Sequence, residues 1–177
     1  MTLKMLFERL NDLEAPWCHS ASLRGEQLDT QRFFAVVSRL GDGIFWYLVM
    51  LLLPVLYGRA GVAVALHMLG VGIVSLLVYT ILKRLTGRQR PCERFSNVHR
   101  HAPMLDLYSF PSGHTMHAVG FTAVLLGHFP ELGIVIAPFV FLVASSRLVL
   151  GLHYPSDVIA GALIGGLVSW SSFSVFT

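Results

Sequence analysis

Charged side chains are scarce in this sequence: they make up 13% of the 177 residues, whereas 54% are apolar. That charged share is about half of what a soluble globular domain carries. The two cysteines, Cys18 and Cys92, have no metal-binding or redox spacing, and two cannot define a disulfide framework. The N-terminus lacks the basic segment, apolar core and cleavage site of a secretory signal, so we expect no removal there. The composition therefore favours a protein embedded in a lipid bilayer.

Five stretches contain no Asp, Glu, Lys or Arg over nearly the length of a bilayer crossing: residues 43–58, 60–82, 115–130, 132–146 and 158–177. A crossing helix usually needs about 20 residues and tolerates about 17, so the shorter stretches need their polar flanks. The predicted fold is all-α: a polytopic transmembrane helical bundle of five spans, preceded by an N-terminal amphipathic or sixth helix. We divide the chain into an interfacial segment, residues 1–38, and a membrane-embedded domain, residues 39–177.

The N-terminal segment carries a leucine stripe, formed by Leu3, Leu6, Leu10 and Leu13. Spacings of three and four, with charged residues between them, are typical of an amphipathic helix that lies in the membrane interface. A soluble amphipathic helix that packs on the bundle is the alternative.

Three polar segments interrupt the apolar sequence, at residues 83–91, 108–121 and 146–157. If the five spans alternate in direction, all three segments lie on one face of the membrane. The longest loop between spans lies on the same face and carries Arg84, Arg88, Arg90, Arg94 and Arg100. Such a group of cations can attract an anion, or it can form a charge belt that contacts lipid headgroups.

The second polar segment contains Pro-Ser-Gly-His at residues 111–114. Proline in a first turn, a serine cap and a glycine are typical of a helix start, where free N–H groups bind phosphate well. His114 could give or take a proton beside such a phosphate. A capped helix start without a ligand is the alternative.

The third segment places His153 four residues before Asp157, so that on a helical turn the carboxylate could hold one imidazole nitrogen and leave the other bare. A bare nitrogen of this kind prepares a nucleophile, although a histidine satisfied by a capping aspartate is the alternative. Arg147 ends an apolar stretch, where charge is costly and usually functional. Lys83 and Arg90 of the first segment suit the oxygens of a phosphoryl group.

Together the three segments resemble the signature of the type 2 phosphatidic acid phosphatase superfamily, which also includes vanadium haloperoxidases. The signature is Lys, six residues and Arg-Pro; then Pro-Ser-Gly-His; then Ser-Arg, five residues, His, three residues and Asp. Every position matches between Lys83 and Asp157. The resemblance is to the membrane lipid phosphate phosphatase branch, because a soluble haloperoxidase would not need five apolar spans. Membrane members commonly have six spans, whereas residues 1–38 here are highly charged.

The resemblance implies that His153 attacks phosphorus to form a phosphohistidine, with Asp157 orienting it. It implies that His114 protonates the departing alcohol. The residues implied to hold the phosphate oxygens are Lys83, Arg90, Ser112, Gly113 through its backbone amide, and Arg147. Such chemistry needs no metal ion or other cofactor, and the sequence offers no dense carboxylate cluster to bind a metal.

Several other polar or small residues have structural interpretations. His67, His117 and His128 lie in apolar stretches and are interpreted as bundle histidines. Arg39 and Asp42 can pair at a spacing of three and would lie on the site's side if the first span began before residue 43. Gly161 and Gly165 are expected to permit close helix packing inside the bundle or, alternatively, at a dimer face.

The predicted function is an integral membrane phosphatase acting on a lipid phosphate or diphosphate. A phosphotransferase with another acceptor and a non-catalytic anion-binding transporter are the alternatives. The predicted partners are the lipid bilayer and a lipid phosphate, with no nucleic acid. The candidate lipids are phosphatidylglycerophosphate, a polyprenyl diphosphate, phosphatidic acid and lipid A.

We expect a multi-pass protein of the bacterial cytoplasmic membrane. If the N-terminal segment does not cross, Arg59 alone among the 13 Lys and Arg residues lies on the face opposite the site. The positive-inside rule then favours a cytoplasmic site. The resemblance to bacterial members of the family implies instead a site on the outer, periplasmic side.

Overall fold

The computed structural model describes residues 3–104 and 106–176, and this part of the chain forms helices without strands. The helices are α1 (Leu3–Gly25), α2 (Leu28–Arg39), a π-helical turn (Leu40–Ile44), α3 (Phe45–Thr86), α4 (Pro91–Arg94), α5 (Gly113–His128), α6 (Pro130–Val149) and α7 (Pro155–Phe176). The predicted all-α class is confirmed.

Helix α3 reverses direction at Gly58. This residue has φ 55° and ψ −131°, a conformation that glycine adopts at little cost. A Cβ atom on Gly61 would collide with the backbone carbonyl of Leu53, so the segments on either side of the reversal pack against each other. These segments correspond to the predicted spans 43–58 and 60–82. The second therefore returns Lys83 to the end of the bundle where the first begins.

Three helical stretches of the described chain are long and apolar enough to cross a membrane: Leu28–Arg94, Pro130–Val149 and Pro155–Phe176. The first of them contains both segments of α3. Helix α5 has 16 residues, which is just below the length of about 17 that a crossing tolerates. The predicted count of five spans is therefore not confirmed, and Thr177, the predicted end of the last span, lies outside the described residues.

Helix α5 packs against α3, α6 and α7 in the middle of the bundle. The core around it contains Trp46, Phe121, Leu125 and Val143, all of which are buried. Large apolar side chains are also exposed on the outside of the bundle, among them Leu51, Val55, Ile134, Val135, Phe141, Leu163 and Trp170. An apolar exterior of this extent is suited to lipid rather than water.

Helix α1 packs on the bundle through a side other than its leucine stripe. The buried row consists of Phe7, Asn11, Glu14 and Cys18. Leu6 and Leu13 are exposed. The helix is thus packed on the bundle, as in the alternative interpretation, while Leu6 and Leu13 face outward. The division of the chain at residue 38 stays a prediction.

Two glycines of α7 allow it to approach α5 closely. A Cβ atom on Gly161 would lie 2.5 Å from the carbonyl oxygen of Ser112. One on Gly165 would collide with the backbone carbonyl of Met116. The prediction that these glycines serve packing inside the bundle is confirmed.

Gly165→Ala should lower the free energy of unfolding by about 1–3 kcal/mol, because the added methyl meets backbone that cannot move aside. The matched control is Gly166→Ala, whose Cβ would lie 3.9 Å from the nearest atom, on Val119. That variant should lose nothing and could gain up to about 1 kcal/mol from the better helix propensity of alanine. Thermal unfolding in detergent measures both, and equal losses would contradict the packing argument.

Candidate functional site

A cavity of about 640 Å³ opens at the end of the bundle where the three polar segments meet. Its polar end is lined by Asp42, Lys83, Arg84, Arg90, Asp106, Gly113, His114, Arg147 and His153. Its other end is apolar and is lined by Trp46, Met50, Leu69, Ile73, Leu76 and Phe121. The structure thus brings six of the eight predicted site residues to one cavity, and the other two, Ser112 and Asp157, are buried behind it.

Lys83 and Arg90 share one carboxylate. Lys83 Nζ donates to Asp106 Oδ1 at 2.8 Å, and Arg90 Nη2 donates to the same oxygen at 2.8 Å. Burial raises the pKa of Asp106, but the hydrogen bonds and charges of Lys83 and Arg90 outweigh it and leave the pKa below its ordinary value. Asp106 is therefore an anion that already occupies part of the cation site. Sequence reasoning missed it, because it lies in an irregular loop that matches no part of the signature.

Arg147 is buried and incompletely satisfied. Its Nη1 donates to the hydroxyl of Ser38, at the end of α2. Within the described residues its Nε has no hydrogen-bond partner. A buried guanidinium with an unused donor, beside a cavity with more cations than carboxylates, favours an anionic ligand with several oxygens.

His153 lies in the loop between α6 and α7 and is 2% exposed. Its Nε2 is 3.2 Å from Arg90 Nη1. Because a guanidinium only donates, Nε2 must be the unprotonated nitrogen, and the proton of the neutral ring is then on Nδ1. Burial, followed by the charges of Arg90 and Arg147, lowers the pKa of His153 well below its ordinary value. The ring is therefore neutral, with its bare nitrogen at the cations.

Asp157 faces the other side of that ring. Its Oδ2 lies 3.4 Å from His153 Nδ1, without the alignment of a hydrogen bond, and accepts the backbone N–H of Tyr154 at 2.9 Å. Its Oδ1 accepts Arg88 Nη1 at 2.5 Å. The predicted pairing with His153 is thus present as proximity, while Arg88 makes the shorter contact. Arg88 lies between Lys83 and Arg90 in the first polar segment, but the signature does not specify it.

The start of α5 follows the prediction in part. Ser112 precedes the helix, and Gly113 and His114 line the cavity. The Ser112 backbone N–H donates to the carbonyl of Asp157 at 3.0 Å, and its hydroxyl is 3.0 Å from that of Thr115. Ser112 therefore ties α5 to α7. Its assignment and that of Gly113 as phosphate ligands stay predictions.

His114 contacts a carboxylate that was expected to matter little. Its Nε2 is hydrogen-bonded to Asp42 Oδ1 in the π-helical turn. Turns of this kind are frequent at functional sites, and Gly43, at φ 132°, supplies the local conformation. Arg39, the predicted partner of Asp42, is exposed. Asp42 thus lies at the same end of the bundle as the site, the position expected if the first span begins before residue 43.

The three histidines interpreted as bundle residues, His67, His117 and His128, have partners inside the bundle. His67 is 3.0 Å from His128 Nε2 and 2.7 Å from the hydroxyl of Ser172. His117 contacts the carbonyl oxygens of Gly113 and Gly72, at 2.9 and 3.2 Å. These contacts agree with their interpretation as satisfied bundle histidines, although His117 also lines the cavity.

The fold and the cavity together define a helical membrane protein with a cationic site beside two histidines. The chain belongs to the PAP2 superfamily, whose sequence model matches residues 62–177. That range contains the whole signature and leaves out α1, α2 and the first segment of α3.

Several characterised proteins are similar to this chain. The lipid A 4'-phosphatase of Bacteroides thetaiotaomicron is 36% identical over 104 residues, which cover 51% of this chain and 44% of that protein. The lipid A 1-phosphatase of Rhizobium johnstonii is 31% identical over 162 residues, 80% of this chain and 66% of that protein. The chain thus spans about half to two thirds of the length of these curated relatives.

A solved structure shares the fold. It is the structure of a transmembrane PAP2 type phosphatidylglycerolphosphate phosphatase from Bacillus subtilis, and it superposes with a TM-score of 0.76 at 23% identity. The superposition covers 98% of this chain and 93% of that one. The similarity extends over α1 and α2, beyond the range of the family match.

Arg147→Met should weaken the binding of inorganic phosphate about 10- to 100-fold, since a hydrogen bond to a charged group contributes about 1.5–3 kcal/mol. Titration calorimetry on the detergent-solubilised protein measures this. Arg94→Met is the control, because Arg94 is paired with Asp12 at the surface, at 3.1 Å. An unchanged affinity in Arg147→Met would contradict the assignment of this cavity as the phosphate site.

Proposed function

We propose that this protein is a membrane phosphatase that removes a phosphate group from a lipid phosphate or diphosphate through a phosphohistidine. The observation that carries the proposal is the position of His153 Nε2, a bare nitrogen at the cationic end of the cavity. A second histidine, His114, lines the same cavity. Membership of the PAP2 superfamily, and relatives named as lipid A phosphatases, support this class of reaction.

In the first half-reaction, His153 Nε2 forms a bond to phosphorus while the bond from phosphorus to the lipid oxygen breaks. Lys83, Arg90 and Arg147 stabilise the charge on the other phosphate oxygens, and no covalent help from them is needed. The departing oxygen takes a proton from His114. The positive charge that develops on the His153 ring is stabilised by Asp157 on its far side.

In the second half-reaction, a water molecule attacks the phosphohistidine. Its oxygen forms a bond to phosphorus as the bond between phosphorus and nitrogen breaks, and His114 takes the proton that the water loses. Inorganic phosphate leaves, and both histidines return to their starting protonation states. One histidine thus acts as the nucleophile and the other as acid and then base.

The apolar end of the cavity supports a lipid as the substrate. It continues directly from the cations and is lined by side chains of both α3 segments, such as Met50 and Leu76. A hydrocarbon chain placed there would leave its phosphate at the polar end. Phosphatidylglycerophosphate, a polyprenyl diphosphate, phosphatidic acid and lipid A are the candidates. Phosphate release by the purified protein from each of these lipids tests the proposal, and no turnover on any phosphate ester would overturn it.

The two histidines should differ in their dependence on the leaving group. A lipid alkoxide must be protonated as it departs, so His114→Ala should lose roughly 10²- to 10⁴-fold in rate on a lipid phosphate. An aryl phosphate leaves with little help, so the same variant should lose much less on nitrophenyl phosphate. His153→Ala should be inactive on both, because no phosphohistidine can form. Initial rates on the two substrates measure the difference.

Asp157→Asn should lose rate to an extent between those of His114→Ala and His153→Ala, since the nucleophile remains but its tautomer is less well held. His128→Ala serves as the control, because His128 pairs with His67 and Ser172 lies beside them, away from the cavity. Equal losses in His114→Ala and His153→Ala on both substrates would contradict the proposed division of roles.

We also propose that the protein lies in a bacterial cytoplasmic membrane with its site toward the cytoplasm. The support is the distribution of positive charge between the two ends of the bundle. Arg59 follows the chain reversal at Gly58 and lies at the end far from the site. The cations of the three polar segments, such as Lys83 and Arg147, lie at the site's end. Helix α7 starts at the site and runs through 22 residues, so its end lies about 33 Å from its start at 1.5 Å per residue.

A reporter fused after residue 177 should then be active only if it functions in the periplasm. Alkaline phosphatase and a cytoplasmic fluorescent protein form the matched pair of reporters. A fluorescent fusion without alkaline phosphatase activity would overturn the orientation. It would also favour substrates available on the outer side of the membrane, such as a recycled polyprenyl diphosphate.

A further inference from the structure

Helix α1 makes polar contacts with the residues behind His153. Glu14, in the buried row of α1, accepts Arg88 Nη2 at 2.8 Å. It also accepts the backbone N–H and the hydroxyl of Ser156, each at 2.7 Å. Asn11, one turn earlier, accepts Arg88 Nε at 2.9 Å. A helix outside the range of the family match thus reaches the first turn of α7.

Arg88 connects these contacts to Asp157. Its Nη1 donates to Asp157 Oδ1 at 2.5 Å and to the hydroxyl of Ser156 at 2.7 Å. Its guanidinium lies against two rings, 4.0 Å from the centroid of Tyr154 and 4.9 Å from that of Phe7. Its side chain is 0% exposed. Each end of this planar group is therefore fixed, one by α1 and the other by α7.

We propose that Glu14 and Arg88 are positioning residues for the nucleophile of the proposed phosphatase. Neither lines the cavity, so neither contacts the substrate. Glu14 holds Arg88 and the first turn of α7, Arg88 holds Asp157, and Asp157 lies 3.4 Å from His153 Nδ1. This arrangement sets the direction of the Nε2 lone pair. The proposal rests on the proposed function, because it assigns His153 as the nucleophile.

Charge explains why Glu14 is needed in addition to Asp157. Arg88 lies between the two carboxylates, which pull its guanidinium from opposite sides. Without Glu14, the Arg88 charge would be satisfied by Asp157 alone and would compete fully with His153 for that carboxylate. Removing one partner of a buried ion pair is also costly for the group that remains. The geometry behind the nucleophile should therefore change, while Lys83 and Arg90 keep their partner Asp106.

Glu14→Gln tests the proposal and keeps the side-chain shape. Partners that hold metal-ligating side chains in place typically contribute about 10- to 100-fold, and we expect kcat to fall by a similar factor here. The same factor is expected on a lipid phosphate and on nitrophenyl phosphate, because both require the nucleophile, and KM should stay within about twofold. Asp12→Asn, on the same helix, is the control, since Asp12 pairs with Arg94 at the surface.

Pre-steady-state kinetics on nitrophenyl phosphate separate positioning from simple loss of folded protein. His153 is the nucleophile of the first half-reaction and the leaving group of the second, so a positioning role slows both: the burst rate falls together with kcat, and the burst amplitude, which depends on the ratio of the two rates, stays unchanged. Partial unfolding instead lowers the amplitude at an unchanged burst rate. Arg88→Lys, which keeps the charge but loses the fork of donors, should lower the burst rate in the same way and serves if Glu14→Gln does not fold.

Three outcomes overturn the inference in distinguishable ways. An active wild type together with wild-type burst rates in both variants removes the positioning role and leaves the proposed function intact. A wild type without activity on any phosphate ester removes the proposed function, and the inference with it. A reduced burst amplitude at the wild-type rate would assign Glu14 and Arg88 to stability alone and would also overturn the inference.

Discussion

Buried positive charge is the constraint on which this structure depends. Four cations, each no more than 5% exposed, lie at one end of an apolar bundle: Lys83, Arg88, Arg90 and Arg147. Removing such groups from water costs several kcal/mol each unless anions and acceptors compensate. Glu14, Asp106 and Asp157 supply that compensation from α1, a loop and α7. Ion pairs between these cations and the three carboxylates therefore hold α1, the loop and α7 together at the polar end of the bundle.

These four cations are not equally compensated by acceptors. The difference distinguishes Arg88, which has a structural role, from the cations that line the cavity. Every guanidinium nitrogen of Arg88 has an acceptor, and Arg88 does not line the cavity. Lys83 and Arg90 share the single carboxylate of Asp106, and Arg147 Nη1 donates to a hydroxyl. The cavity thus keeps a positive potential that a phosphate could satisfy. A potential left unbalanced in this way costs stability and is expected where a protein binds a charged ligand.

The residues that sequence reasoning placed in the site are those grouped closely along the chain, such as Lys83 with Arg90 and His153 with Asp157. Contacts over long separations could not be read from local spacing: Glu14 meets Ser156 across 142 residues, and Asp42 meets His114 across 72. These pairs form because the chain reverses at Gly58 and because α1 packs through its buried row, which does not include Leu6 or Leu13. Periodicity identified α1 as amphipathic, but the pattern of its leucines could not show that Asn11 and Glu14 would face the bundle.

The number of membrane spans could not be read from the sequence either, since composition does not show how short a central helix such as α5 can be.

The close contact between Gly161 and Ser112 fixes the depth of the site relative to the end of the bundle at which α7 starts. Ser112 immediately precedes α5, whereas α7 starts six residues before Gly161. At a rise of 1.5 Å per residue, the start of α5 is recessed by about 9 Å below the start of α7. A lipid phosphate would therefore not need to rise to the level where α7 starts in order to meet the cations. Its acyl chains would stay in hydrocarbon, which avoids the cost of about 0.8 kcal/mol for each methylene group drawn into water.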